Sequence, residues 1–457
     1  MINNNISVLA FNSVLRDARI LKEARSLAQS GYKVTVFGFE DNNVPHQIVE
    51  ESDNLSIHIL DWRTNLIQVL KYFRLIMYPF FISLICLFSY LSYPSIVIYL
   101  TDNSGFYILA VILSAMFIFG LTARYCASLV ITVVKRIIPF SILTKYCVLI
   151  AHVSKLKPAL IHCHDMLPLV PGSILKRITK AKLVFDAHEI YEDLAQAKKL
   201  KKITSKCILS IFQYSIDGFI TINDNISKFY TDNYKAVSSV TIIKNATVKA
   251  NNVRYDYRLH DKSALPHTQK IAIYQGGFAK NRGLELIVSA GSDLYSDWSI
   301  VLMGWGTLQP QLEALAQDVN TAAKSKRETA PVVIIPPCPQ QDLPEWTIGA
   351  SIGLIVYEDN SLNHRYCTPN KLWEYPNADV PILSNPLVEI SKVINEYEIG
   401  WLLPADVTGE NIANAINALS DEKIEIARKN CNKYMERDNW SVYEQRLINL
   451  YDRLLTN

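Results

Sequence analysis

Along most of the chain, short apolar runs alternate with stretches in which apolar residues recur three or four apart. Residues 6–11 (ISVLAF) read as a strand. Within 15–29, Ile20, Leu21, Ala24, Leu27 and Ala28 share one face of a helix. Gly31 sits where that helix stops, and 32–39 form a second apolar strand. Strands that are apolar on both faces belong to a parallel sheet covered on both sides, so this is a β-α-β unit. The series continues through 159–163, 182–186, 218–222 and 240–243. Residues 246–269 are polar without a clear period and read as a linker. A second series opens at 271–275, followed by Gly276-Gly277, and runs through 299–303, 332–335, 353–356 and 380–384. Residues 441–455 predict a terminal helix.

One region breaks this rhythm. Residues 75–100 carry no charge, nor do 104–123, and Asp102 is the only acidic residue from 65 to 150. Lys71, Arg74 and Arg124 flank the two runs. Each run is about long enough for a ~30 Å hydrocarbon core, and the charge asymmetry places the rest of the chain on the cytoplasmic side. Pro79 and Pro94 in the first run also suit a hairpin lying in the interface. Residues 125–150 look basic and amphipathic, as a helix on anionic lipid would.

Composition narrows the class. The chain has 457 residues, too many for one ordinary core, and a net charge of +3, which implies no nucleic-acid partner. Its eight cysteines show no CxxC pair and read as reduced thiols. The opening MINNNISVLAF lacks the basic n-region of a secretory leader. Oligomeric state leaves no signal.

The candidate chemistry gathers at strand ends. In 361–384 (SLNHRYCTPNKLWEYPNADVPILS), Thr368 is placed to cap a helix with Pro369 as its first residue. The first-turn donors, with Asn370 and Lys371, then offer an anion site. Glu374 on the same helix can accept bonds from ribose hydroxyls. In 275–283 (QGGFAKNRG), Gly276 and Gly277 let the backbone approach a ligand, and Arg282 can clamp a phosphate. His188 follows the strand 182–186, at a carboxyl end where open α/β sheets bind ligands. His162, His164 and Asp165 follow another strand, with Asp165 an acceptor-side candidate. Arg16 and Asp17 follow the first. No Asp-x-Asp occurs, so no carboxylate pair is available for a catalytic divalent ion.

These stretches resemble retaining glycosyltransferases of family 4. Residues 361–384 are similar to that family's SPNKLxEYxAAGxPV, 17–38 to its opening helix and second strand, and 159–193, ending VFDAHEIYED, to its HxHD…YDAHE region. The resemblance implies the GT-B architecture: two Rossmann-like doubly wound domains facing a cleft, here with an apolar membrane-associated helical insertion. The expected boundaries are 1–245 for the acceptor-side domain (65–150 the insertion), 246–269 for the linker, 270–440 for the donor domain, and 441–457 for a helix crossing back. Glu374 matches the second glutamate of the family's E-x7-E motif, while Tyr366 stands at the first. Arg282 matches the second of two basic positions, and His188 the histidine that contacts the reacting sugar. Pro376 and Asp379 depart from the pattern and shorten the expected helix.

The implied activity is transfer of a sugar from a nucleoside-diphosphate donor to a lipid-linked acceptor such as a polyprenyl diphosphate glycan. It would need no metal cofactor, and would occur at the cytoplasmic face of a membrane whose lipids the chain contacts. Two other readings remain open. One is a GT-B nucleotide-sugar epimerase; the other is a non-catalytic sugar-nucleotide-binding subunit of a membrane polysaccharide complex.

Overall fold

The computed structural model describes residues 4–15, 17–63, 140–195, 197–250 and 253–456. It divides into two compact units, Met1–Cys163 with Leu167–Ala181, and His164–Met166 with Lys182–Asn457.

In the first unit, β1 (Asn5–Leu9) pairs in parallel with β2 (Lys33–Phe39) and β5 (Leu160–His164). β4 (Leu55–Leu60) extends the sheet beyond β2, and β3 (Gln47–Ser52) closes that edge antiparallel to β4. The β3–β4 hairpin escaped the sequence reading, because EESDN at its turn hides the short alternation of SIHIL. α1 (Ala18–Gln29) begins at Asp17, whose Oδ1 accepts the Ile20 N–H at 3.2 Å and whose Oδ2 accepts from Asn12 at 2.8 Å. Asp17 is thus engaged as a cap, worth about 1 kcal/mol, and not as a ligand-facing carboxylate. Arg16 lies outside the described residues.

So do the apolar runs 75–100 and 104–123. Among the described residues no helix is long and apolar enough to cross a membrane. Residues 140–150 correct one expectation. They belong to α2 (Phe140–Leu156), and Thr144, Leu149 and Val153 on it are fully buried. Lys145 lies over the rings of Phe39 and Trp62, at 4.9 and 5.2 Å. This stretch is a sheet-covering helix, and its lysine is occupied by aromatic faces. α3 (Met166–Thr179) follows β5.

The second unit opens with three parallel strands, β6 (Lys182–Ala187), β7 (Gly218–Thr221) and β8 (Val240–Ile242). They are separated by α4 (Lys199–Phe212) and α5 (Asp224–Asn233). The polar stretch expected as a linker contains α6 (Arg258–Ser263), with Leu259 and Leu265 buried.

A six-stranded sheet follows: β9 (Lys270–Gly277), β10 (Trp298–Trp305), β11 (Val332–Ile335), β12 (Ile352–Ile355), β13 (Ile382–Ser384) and β14 (Gly400–Leu402). The spatial order is β11-β10-β9-β12-β13-β14, all parallel. This is the dinucleotide-fold order 3-2-1-4-5-6, which reverses direction between its first and fourth strands. The reversal leaves a crevice at the carboxyl ends of β9 and β12. Tyr274, Phe278, Trp298, Leu302 and Leu354 fill one side of the sheet.

The covering helices are α7 (Leu284–Ala290), α8 (Gln309–Ala323), α9 (Leu343–Thr347), α10 (Leu362–Arg365), α11 (Lys371–Glu374), α12 (Val388–Tyr397), α13 (Gly409–Asn417), α14 (Asp421–Arg437) and α15 (Trp440–Thr456). The terminal helix lies against β7 and β8: a side chain at Gly218 would stand 3.0 Å from Leu454. Between α14 and α15, buried Asp438 accepts from the Trp373 indole at 3.0 Å and the Tyr443 hydroxyl at 2.9 Å, and pairs with Lys244 at 2.8 Å.

Candidate functional site

The crevice at the β9–β12 reversal opens into a cleft of about 470 Å³ within the second unit. This falls in the usual range for a small-molecule site. Gly276, Gly277, Arg282, Asn370, Lys371, Glu374 and His188 all line it. Asp165 and Tyr366 do not.

β9 ends at the floor. Gly276 has φ +129°, and a Cβ there would sit 3.1 Å from the Lys371 ammonium, so this residue type is what lets the lysine reach the backbone. Gly283 has φ +61°, and a Cβ there would stand 2.3 Å from the Val356 carbonyl. The loop bearing Arg282 is therefore pressed against the end of β12.

Arg282 and Lys371 meet at Tyr357, which follows β12. The Tyr357 hydroxyl accepts from Arg282 at 3.0 Å and from Lys371 at 3.4 Å. The Lys371 ammonium also lies 4.7 Å from the Tyr274 ring centre and 5.7 Å from that of Tyr357. Burial works against the cation, but the two tyrosines outweigh it and hold its pKa above the usual lysine value. Burial likewise raises the Tyr357 phenol, against the pull of Lys371 and Arg282, and keeps it neutral. Among the described residues no carboxylate forms an ion pair with Arg282 or Lys371. Two cations with their counter-charge missing, in a partly closed cleft, make a receptor for an anion.

α11 differs from expectation at its start. Asn370 occupies the cap position without a side-chain cap bond, and the Thr368 hydroxyl is buried with no hydrogen-bond partner. Residues 369–372 form a turn closed by the Leu372 N–H on the Pro369 carbonyl at 2.9 Å, so the helix begins two residues late and holds a single turn. Anion recognition here rests on side chains more than on a helix dipole. Asp379 ends the segment in the left-handed region at φ +56°, where the resembling pattern has glycine.

Glu374 is held from two sides. Gln275 donates to its Oε2 at 3.2 Å and Gln340 to its Oε1 at 3.4 Å. The Gln275 side-chain oxygen faces the buried Thr347 hydroxyl at 2.7 Å, and the carboxylate, which only accepts, fixes the amide nitrogen toward Glu374. Glu374 retains acceptor capacity toward the cleft.

The other wall carries His188. Its Nε2 lies 2.9 Å from Asp186 and 3.3 Å from His164 Nδ1, and its Nδ1 lies 3.4 Å from Asp165. Asp165, in the left-handed region at φ +68°, accepts from Tyr191 at 2.6 Å. It stands behind His188 and orients it. Burial, and then the charge of Asp165, push the neighbouring Glu189 carboxyl up. Tyr366 contributes only its carbonyl, which accepts from Asn223 at 2.7 Å. Two thiols also line the cleft, but burial raises Cys338 to about 11 and Cys367 to about 12, so neither is a thiolate nucleophile at neutral pH.

The sequence reading missed Tyr274, Gln275, Gln340, Thr347 and Tyr357. Tyr274 and Tyr357 had a signal, since each stands within three residues of the carboxyl end of a strand beside the reversal point.

No protein-family model matches the chain, and no curated protein does. Solved structures do match over nearly the whole length. One is a sucrose-phosphate synthase from Thermosynechococcus elongatus, at 15% identity over 99% of each chain, with a TM-score of 0.69. Another is an α,α-trehalose-phosphate synthase (UDP-forming) from Burkholderia vietnamiensis, at 12% identity over 98% of this chain and 100% of that one, TM-score 0.64. A third is Anabaena HepE in complex with UDP and glucose, at 11% identity over 98% and 99%, TM-score 0.63. At such identities the likeness is one of fold. The chain has the GT-B fold.

Proposed function

We propose that the chain is a glycosyltransferase that takes a sugar from a nucleoside-diphosphate donor. The observation that carries this is the Arg282–Lys371 pair: two cations, with no carboxylate partner among the described residues, beside a braced carboxylate at the reversal point of a dinucleotide-type sheet. A diphosphate supplies the missing charge. As the bond to the sugar breaks, negative charge grows on the diphosphate, and the two cations stabilise it there. Glu374 accepts from the ribose hydroxyls, and Asn370, Gly276 and Gly277 border the phosphates. His188, oriented by Asp186 and Asp165, stands beside the transferring sugar. The neighbours with sucrose-phosphate and trehalose-phosphate synthase activity, and the UDP and glucose bound by HepE, support this reading.

Finer features of the proposal rest on the family resemblance. Transfer retains the anomeric configuration by same-face attack, and no metal is required, since Arg282 and Lys371 carry the neutralising charge. The acceptor is a lipid-linked glycan, presented at the cytoplasmic face of a membrane during surface polysaccharide synthesis. Residues 1–245 bind it, residues 270–440 bind the donor across the 246–269 linker, and the helix within 441–457 crosses back.

The decisive experiment is calorimetric titration with nucleoside diphosphates and their sugars, followed by assay of diphosphate release in EDTA. Micromolar binding with turnover in EDTA is expected. Binding without turnover on any acceptor would instead indicate a non-catalytic subunit, and loss in EDTA with rescue by manganese would overturn the metal-free account.

A further inference from the structure

α4 has the wrong outside for a helix that only covers a sheet. Its buried side is small, with Ser205, Leu209 and, in the turn just beyond, Gln213 facing inward. On the opposite side Leu200, Ile203, Ile211 and Tyr214 are 59%, 49%, 67% and 73% exposed, and Cys207 between them is exposed too. These five positions recur three or four residues apart, so they form one continuous apolar stripe. Lys199 and Lys206 border it on one edge and Lys201 on the other, with Lys198 at its start; all four are exposed. No acidic residue occurs from 194 to 216.

We infer that this face is a docking surface for a bilayer bearing anionic headgroups. Isolated exposed apolar residues need no explanation, but a full stripe with lysines on both edges has the two components of interfacial binding: apolar burial and attraction to anionic lipid. The charge selects the occupant. Glu192 pairs with Lys206 at 3.9 Å but is only 17% exposed, so pairing with a second copy would still bring two surfaces with excess lysine together, whereas an anionic bilayer complements them.

The surface also connects to the cleft. Lys202, on the inner flank of α4, pairs with Asp193 at 3.1 Å, and the other Asp193 oxygen accepts the Leu362 N–H at 2.6 Å. Leu362 begins α10, whose Asn363 and His364 line the cleft. A bilayer held on α4 would therefore lie a short bonded path from the candidate site. The inference stands on the exposed face alone and does not depend on the identity of the donor.

The test uses the full chain and phosphatidylcholine vesicles with and without phosphatidylglycerol. Wild type should bind the anionic vesicles more tightly. Lys199→Glu, Lys201→Glu and Lys206→Glu combined should weaken that binding at least tenfold, and Ile211→Gln with Tyr214→Gln by roughly tenfold. Nucleotide affinity should be unchanged in both variants, which separates this inference from the proposed function. Tyr214→Trp gives a local readout: its added emission should be quenched by brominated lipid. If both variants bind anionic vesicles like wild type and the added tryptophan is not quenched, the face does not meet lipid, even if another segment does. If the variants lose self-association instead of vesicle binding, the occupant is a second copy, and the inference falls.

Discussion

The two walls of the cleft handle charge in opposite ways. On one, Arg282 and Lys371 are buried against tyrosine faces with no carboxylate in contact among the described residues. On the other, His188 stands between Asp186 and Asp165, which Tyr191 also engages. The second wall is internally balanced and can orient a group or move a proton without help. The first has no carboxylate within ion-pair distance among the described residues, with Glu374 acting on Lys371 only from further off, and is suited to receive an anion. A binding site for an anion and a positioning site for its partner thus differ in where their counter-charge comes from.

The largest expected effect breaks the first wall. Lys371→Met should weaken binding of a nucleoside diphosphate by roughly a hundredfold, the scale of a lost charge-assisted phosphate contact, and leave the bare nucleoside unaffected. An equal loss for both ligands would mean that the lysine serves the base or the fold.

Next comes the second wall. Asp186→Asn should lower turnover by tenfold or more while donor affinity stays within twofold, since it disturbs the orientation of His188 and of His164, which shares the same carboxylate oxygen at 3.3 Å, and neither cation of the other wall. A parallel loss of nucleotide binding would erase the distinction between the walls.

A smaller effect sharpens the ribose assignment. Glu374→Ala should cost roughly tenfold in diphosphate affinity, and Gln275→Leu about threefold through misplacement of the carboxylate. Both losses should vanish with a 2′,3′-dideoxy analogue. If the Glu374 loss persists there, the ribose role fails; if only the Gln275 loss persists, the bracing role fails.

The smallest effect concerns protons. Burial and Asp165 raise the Glu189 carboxyl above its ordinary 4.5, so the stability tied to its protonated form is complete below that pH and declines as pH rises through the folded value. Glu189→Gln should therefore stabilise the protein at pH 7 by about 1 kcal/mol, with the gain shrinking toward pH 5. Thermal unfolding at the two pH values measures this.

Much of the fold was legible because its signals are local. Apolar strands announced themselves within a residue or two, and Lys371 and Arg282 stood in recognisable loops. What stayed hidden depends on distance along the chain. Gln275, Thr347 and Glu374 meet across separations of 72 and 99 residues, and no window contains them together. Tyr274 and Tyr357 looked like core, which they also are. The cap at Thr368 failed for a subtler reason: TPN fits a helix start, but here the chain makes one more turn before α11 begins. β14 escaped the reading, although β8 and β13, also three residues long, did not.

Asp438 gives the order of synthesis a role in finishing the site. It bonds the Trp373 indole, on the same single turn as Lys371 and Glu374, yet lies 65 residues further on. At ordinary translation speeds it emerges roughly 3 to 13 s after that turn. For that interval the nascent chain carries the Lys371–Glu374 turn without the Asp438 acceptor for its indole N–H and without the anchor that Asp438 makes to Lys244 and Tyr443. The last helices to be made are therefore what lock the turn in place, and a ribosome stalled in this stretch would hold a nearly complete chain with its cleft still unset.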